Sequence, residues 1–478
     1  MDRGRRLVRA TGVVAVVVGG LLVLLLGGGA ARGVGFARSA GAVIGTPESV
    51  AFTDVSCSSP RSCTAIGYLS SQPPRPVAER WNGRTWSLHR IPVPPNGFFA
   101  DDPASDLSSV SCPSAGECFA VAGQAWEGEH GFIARWVHGA WVIQQSPPVP
   151  LSWLNGVSCS APRSCLAVGT RDDAPDGDEA PLFEWWNGAR WSVRGPHRSG
   201  YYDLESVSCP STRLCMVVGN SPVATQAERW NGSSWSPERI PHTEALESNL
   251  SSVSCASITA CVAVGDYDNL DGGPSGWTGS SGLVADGWNG TQWSALQKQR
   301  SPNFWRTVSC VSAHWCVAIE TPGKVRRWNG TRWSTQLTSD GTLGAVTCTS
   351  IHFCIAVGQR GGEPASWRWN GTRWIEGTIK LPSLPTRLLI NTQTMPAGLV
   401  NQPYSAVLQA SGGVPPYTWT LQGIEGGTDD AWLSINNAGV LSGTPPSTGN
   451  WDVFVSVKDS EPDPQAVDNQ TLYLTVSP

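Results

Sequence analysis

The sequence predicts an all-β protein, a seven-bladed β-propeller followed by a β-sandwich. Three observations carry that expectation. Seven Cys-x5-Cys pairs recur along the chain, and two tryptophans five positions apart recur with them, in six units bracketing an Asn-Gly. The 53 Gly and 36 Pro among 478 residues favour many short elements joined by turns. A net charge of −5, with only 15% charged residues, argues against a nucleic-acid-binding surface.

The N-terminus reads as a targeting segment rather than as fold. Arg3, Arg5, Arg6 and Arg9 precede the apolar run TGVVAVVVGGLLVLLLGGGAA at 11–31, followed by small residues. That order describes an export signal, although a run of about 20 residues is also long enough to span a bilayer. Residues 1–40 are therefore expected to be a signal peptide or an N-terminal membrane anchor, the cleaved signal being favoured. Either way the rest of the chain is exported, because the basic flank stays in the cytoplasm. The expected location is extracellular or at the cell surface, with membrane contact only through this segment.

The cysteines fall at Cys57/Cys63, Cys112/Cys118, Cys159/Cys165, Cys209/Cys215, Cys255/Cys261, Cys310/Cys316 and Cys348/Cys354, and none is left over. Each pair begins VSC or VTC and continues as an apolar run such as CTAIG or CLAVG. Short β-branched stretches around a polar loop read as a β-hairpin. In such a hairpin the two cysteines oppose each other with Cα atoms about 4.5 Å apart, inside disulfide range. Structural zinc favours shorter spacings, and an exported chain meets an oxidising compartment. Seven local disulfides are expected.

The stretches AERWNGRTWS (78–87) and AERWNGSSWS (227–236) repeat almost letter for letter, and WNGxxW returns at 186–191, 288–293, 328–333 and 369–374. Asn-Gly is a hairpin-turn signal. A two-residue turn opposes Trp81 to Arg84, and a four-residue turn opposes it to Trp86. Both put Trp81 and Trp86 on one face of the hairpin. The second unit keeps the spacing as Trp136 and Trp141 and moves its turn to His138-Gly139.

Each unit therefore supplies four strands, too few to bury both faces alone, and stacking on neighbours solves that problem. First cysteines 38–55 residues apart give units of propeller-blade size, and seven can close a ring. Fourteen of the 24 tryptophans then sit between blades, a better account of their regularity than a sugar-binding track. The arrangement resembles kelch and galactose-oxidase-type propellers. It is also similar to a repeat family of exported actinobacterial proteins that carries WNGxxW and Cys-x5-Cys. The resemblance covers roughly 48–380 and implies architecture, not chemistry.

Residues 381–386 (LPSLPT) read as a linker, and beyond it both motifs stop. In 387–478, Trp451, Val453, Val455 and Val457 alternate, as do Leu472, Leu474 and Val476, with turns between them, which reads as a sandwich. The stretches LVNQPYSAVLQASGGVPPYTWTLQ and GVLSGTPPSTGNWDVFVSVKDS resemble an Ig-like, cadherin-like bacterial module. Cadherin-like relatives often bind calcium, but their Asn-Asp linker motif is absent. Asp459, Asp463 and Asp468 are expected to be solvated loop charges.

Antiparallel order puts the Cys loops and Asn-Gly turns at one end of every blade. The other end carries long, unequal segments, among them 91–106, 170–182 and 266–287. Variable loops on a rigid scaffold are the usual place for binding, so that end is the expected working face. Within it Asp266, Asp268 and Asp271 are weak metal candidates for calcium, since Leu270 breaks the calcium-loop pattern. No HExxH, G-x-S-x-G or free cysteine for a copper-radical site is present, and no catalytic or cofactor-binding residue is named. The expected function is a non-catalytic binding scaffold for an extracellular glycan or protein. The alternative is a secreted glycan-active enzyme whose paired carboxylates converge from separate blades on the same face.

Overall fold

The structure is a computed structural model. It describes residues 49–478 except 70–74, 93–106, 124–130, 150, 172–179, 196–202, 221–225, 242–246, 270–279, 381–387, 427–430 and 461–466. The expected signal or anchor at 1–40 lies outside the described residues. All described regular structure is β, and no helix among these residues is long and apolar enough to cross a membrane.

The first blade is a four-stranded antiparallel sheet of β1 (Val50–Ser59), β2 (Ser62–Leu69), β3 (Arg75–Trp81) and β4 (Trp86–Arg90), hydrogen-bonded in that order. Six more sheets of the same order span 107–144, 152–193, 203–237, 247–300, 305–338 and 342–378. The first strands of successive sheets pack side by side, and β1 packs against the first strand of the seventh sheet, Thr342–Ser350. The ring of seven thus closes on itself.

Seven disulfides form, each within its own blade, and no cysteine is free. They join Cys57 to Cys63, Cys112 to Cys118, Cys159 to Cys165, Cys209 to Cys215, Cys255 to Cys261, Cys310 to Cys316 and Cys348 to Cys354. The paired Cα atoms lie 3.9 to 4.1 Å apart, closer than the expected opposed-pair distance, because a covalent bridge draws the two strands together.

The bridges do more than pin hairpins, since their two ends differ. The second cysteines, Cys63, Cys118, Cys165, Cys215, Cys261, Cys316 and Cys354, are all buried, whereas most of the first ones are half-buried. Each second cysteine also stands beside the first tryptophan of its blade on the third strand. Cys63 pairs with Trp81, Cys118 with Trp136, Cys165 with Trp186 and Cys215 with Trp230. Cys261, Cys316 and Cys354 pair likewise with Trp288, Trp328 and Trp369. The sulfur thereby belongs to the core of the blade as well as to the hairpin.

The WNGxxW hairpin takes the four-residue turn: Trp81 is paired directly with Trp86. Gly83 takes the positive φ of 98°, whereas Asn82 acts through its side chain. Its Oδ1 accepts the backbone N–H of Arg84 at 2.9 Å and of Thr85 at 3.0 Å. The same bonds recur at Asn187, Asn231, Asn289, Asn329 and Asn370. At this Trp-to-Trp hairpin only the second blade uses a two-residue turn, with His138 at φ 53° and Gly139 at φ 85°.

The glycine that ends the second strand answers to its neighbour. β1 bulges between Phe52 and Asp54, which brings its backbone over Gly67. A Cβ there would run into the Ala51 carbonyl oxygen, so only glycine fits.

Beyond the ring, Gly398–Leu399, Val467–Ser477, Gly449–Lys458 and Thr418–Glu425 form a four-stranded sheet. A three-stranded sheet of Tyr404–Val407, Val440–Gly443 and Leu433–Ile435 accompanies it. The alternating residues Trp451, Val453, Val455, Val457, Leu472, Leu474 and Val476 are all buried in one core, with Trp419 and Leu441. Asp459 departs from expectation. It is buried and accepts the Val414 N–H at 3.1 Å, so its carboxyl group ties a turn rather than facing solvent. Asp463 and the side chain of Asp468 lie outside what is described.

Candidate functional site

The innermost strands form the channel wall, and a chain of side-chain bonds stitches them together. The serine before the first cysteine of one blade accepts the N–H of the first cysteine of the next. Ser56 accepts from Cys112 at 3.0 Å, Ser111 from Cys159 at 3.0 Å and Ser158 from Cys209 at 2.9 Å. Ser208, Ser254 and Ser309 continue it to Cys255, Cys310 and Cys348, each at 2.9 Å. A second, less regular row sits two residues earlier. Asp54 accepts the Val110 N–H at 2.8 Å, and Ser109, Ser206 and Ser252 accept from Val157, Val253 and Val308. The VSC motif is thus an inter-blade device as well as a hairpin signal.

Every innermost strand bulges at the fourth residue before its first cysteine. The bulge residues are Thr53, Ser108, Asn155, Glu205, Ser251, Arg306 and Gly344. They stand nearer the long-loop end of the channel than the serine row. A bulge re-aims a side chain and is a common device beside functional sites. Thr53, Arg306 and Gly344 from three successive blades line one cavity of about 280 Å³ with Tyr68 and Gln359.

The acidic side of this mouth lies on the fourth and fifth blades. Glu205 is held above the usual carboxylate range, first by burial and then by the neighbouring Asp203 and Asp266 carboxylates. Asp203 accepts from Thr170 Oγ1 at 2.8 Å and from Asn155 Nδ2 at 3.1 Å.

The calcium candidates are placed differently from a loop. Asp266 and Asp268 lie in the strand Ala260–Asn269, paired with Asn249 and Glu247, and Asp271 lies outside the described residues. An extended strand spaces alternate residues along its length and does not curl around an ion. Among the described residues no group of three His, Cys, Asp or Glu could hold a metal ion. Much of 266–287 is strand, because Ser280–Trp288 pairs with Ala260–Asn269, and only 270–279 lies outside the described pairing. Sequence reasoning found Asp266 but missed Asp203, Glu205 and Arg306. The signal for the last two was their fixed distance before the cysteine.

Between blades, the tryptophan face of one sheet meets the preceding sheet. Trp86 Nε1 donates to Ser366 Oγ of the seventh blade at 3.2 Å. The residue before the first tryptophan supplies the partner from the other side. Arg80 lies 4.2 Å over the Trp136 ring, Arg135 5.1 Å over Trp186 and Arg229 5.6 Å over Trp288. The tryptophan pairs of the second, third, fifth and sixth blades are buried, and those of the first and fourth are half-exposed beside clefts. The cleft between the third and fourth blades, of about 670 Å³, opens at the disulfide end. That end is therefore not uniform.

A family model described as Putative Ig domain matches residues 376–477. No curated protein matches the sequence. Among solved structures, the β-propeller domain of the Trilobed protease from Pyrococcus furiosus is similar at 7% identity and a TM-score of 0.43, over 70% of this chain and 98% of that one. YCF48 from Cyanidioschyzon merolae is similar at 13% identity and 0.45, over 68% and 98%. The GH74 xyloglucanase from Xanthomonas campestris is similar at 14% identity and 0.47, over 74% of this chain and 58% of that chain. At such identities and scores the likenesses carry no chemistry to this chain.

Proposed function

We propose that this chain is a non-catalytic extracellular binding scaffold, exported by its N-terminal segment, that holds a glycan or protein ligand at the long-loop end of the propeller channel. One observation carries the reading. Seven structurally equivalent bulge positions hold Thr, Ser, Asn, Glu, Ser, Arg and Gly, whereas the position three residues later is serine in six blades and threonine in the seventh. Where packing dictates a residue, the repeats of this chain agree. At the channel mouth they diverge into acid, base and amide, the composition of a recognition surface. Seven disulfides and an Ig-like domain suit an oxidising, extracellular setting.

The test is a glycan, polysaccharide and protein binding array on the exported chain and its variants. Glu205→Gln and Arg306→Ala should each weaken capture of the selected ligand, and Arg61→Ala, in a Cys loop, should leave it unchanged. Equal capture by both channel variants would overturn the reading.

A second reading has one observation in its favour. Glu205, its pKa raised by burial and by the neighbouring Asp203 and Asp266 carboxylates, is a clustered carboxyl group of the kind glycoside hydrolysis uses as an acid. Release of reducing ends from a polysaccharide on the array, abolished in Glu205→Gln, would replace the scaffold by a glycan-active enzyme.

A further inference from the structure

The third blade breaks the inter-blade rule. Arginine stands before the first tryptophan in five other blades, as Arg80, Arg135, Arg229, Arg327 and Arg368, but here the residue is Trp185. Trp185 therefore faces the fourth blade with a ring instead of a guanidinium. Its centroid lies 5.3 Å from Trp230 and 6.3 Å from Trp235, and its Nε1 donates to the Arg194 carbonyl at 3.0 Å, which fixes the ring. The outer strands of these two blades, Trp191–Val193 and Trp235–Pro237, have three residues each, shorter than in any other blade. Three rings are left half-exposed along a cleft of about 670 Å³.

Two cations flank those rings. Arg163, from the Cys loop, and Arg194, after the outer strand, are exposed and line the cleft with Asn187. Neither guanidinium has a carboxylate partner among the described residues, in contrast to Arg135 and Arg229, which pair with Glu117 and Glu238. The volume is that of a small-ligand cleft, for which roughly 300–1,000 Å³ is usual. Indole faces stack on the apolar C–H face of a pyranose ring, and a guanidinium meets a carboxylate through paired N–H bonds.

We infer that the cleft between the third and fourth blades binds an acidic glycan, one whose pyranose rings carry carboxylates as uronic acids do. The rings of Trp185, Trp230 and Trp235 form the stacking surface, and Arg163 and Arg194 select the charge. The cleft lies at the disulfide end, apart from the channel mouth, and the inference does not depend on the reading proposed for that mouth.

The test titrates the full exported chain with a galacturonate oligomer and with a neutral cello-oligomer of equal length, followed by tryptophan fluorescence and calorimetry. The galacturonate oligomer should bind with a Kd of about 1 mM or tighter. Trp185→Ala should weaken it about tenfold or more, as should Trp185→Arg, which restores the residue the other blades tolerate. Arg194→Ala and Arg163→Ala should each cost about tenfold and reduce the salt dependence. Absence of binding would overturn the inference, as would equal affinity for the neutral oligomer. So would binding that survives both Trp185 variants but is lost in Arg306→Ala, which would move the glycan to the channel mouth.

Discussion

The backbone N–H of Cys255 donates to Ser208 Oγ, 2.9 Å away on the preceding blade. The disulfide of one sheet is thereby registered against the inner strand of its neighbour, and five equivalent bonds repeat the arrangement. Rigidity at the disulfide end is in this way passed from blade to blade around the channel.

Ser208→Ala leaves the Cys255 N–H without its acceptor. It should destabilise the protein by about 1 kcal/mol, the usual cost of stranding a part-buried donor. Ser208→Thr should cost less, because it keeps a hydroxyl acceptor at the same place. Urea midpoints of the two variants at constant slope check the difference.

Trp328 and Trp333 are paired, buried and 5.7 Å apart between ring centroids. Trp328→Ala should cost roughly 3–5 kcal/mol, as large-to-small core changes do. It should also free the Ala313 carbonyl, which accepts Trp328 Nε1–H at 3.2 Å. A thermal melt within a degree of the parent would show that these tryptophans are not core.

Glu79 is 0% exposed and neither carboxylate oxygen has a hydrogen-bond partner. Burial pushes its pKa from 4.5 to about 8. The folded state keeps the proton after the unfolded chain has released it. The contribution of Glu79 to stability is therefore full below pH 4.5, falls as pH rises towards 8, and levels off above. Glu184, raised to about 7 by burial, adds a slope of the same sign. Glu79→Gln should flatten the profile and be the more stable chain at pH 8, by about 1–3 kcal/mol. Denaturation series at acid and alkaline pH read both the slope and the crossing.

Replacement of 270–279 by a short Gly-Ser connection should leave the fifth blade folded. The strands it joins, Ala260–Asn269 and Ser280–Trp288, are paired along their whole length. Long connections add little closure entropy, so shortening this one should change stability by less than about 1 kcal/mol. Near-ultraviolet circular dichroism and the melting curve check it.

Local signals were legible in the sequence, and non-local ones were not. Cys57 facing Cys63 and Trp81 sharing a face with Trp86 follow from strand alternation within one hairpin. The seven sheets followed from counting such hairpins. Arg80 over Trp136 and Ser208 under Cys255 depend on how one blade is set against the next, which no local spacing encodes. Composition also misled. Asp266 and Asp268 stand in a Gly- and Asp-rich stretch and read as loop, yet pairing with Asn249 and Glu247 holds them extended. Asp459 likewise read as a solvated charge, because its partner Val414 is 45 residues away.

The central claim is that ligand is held at the long-loop end of the channel. Hydrogen exchange of the full chain with and without the ligand selected by the array tests it most directly. Protection should concentrate at the bulges around Thr53, Glu205, Arg306 and Gly344, with the Cys loops and Asn-Gly turns unchanged. Protection confined to those loops and turns, with none at the bulges, would contradict it.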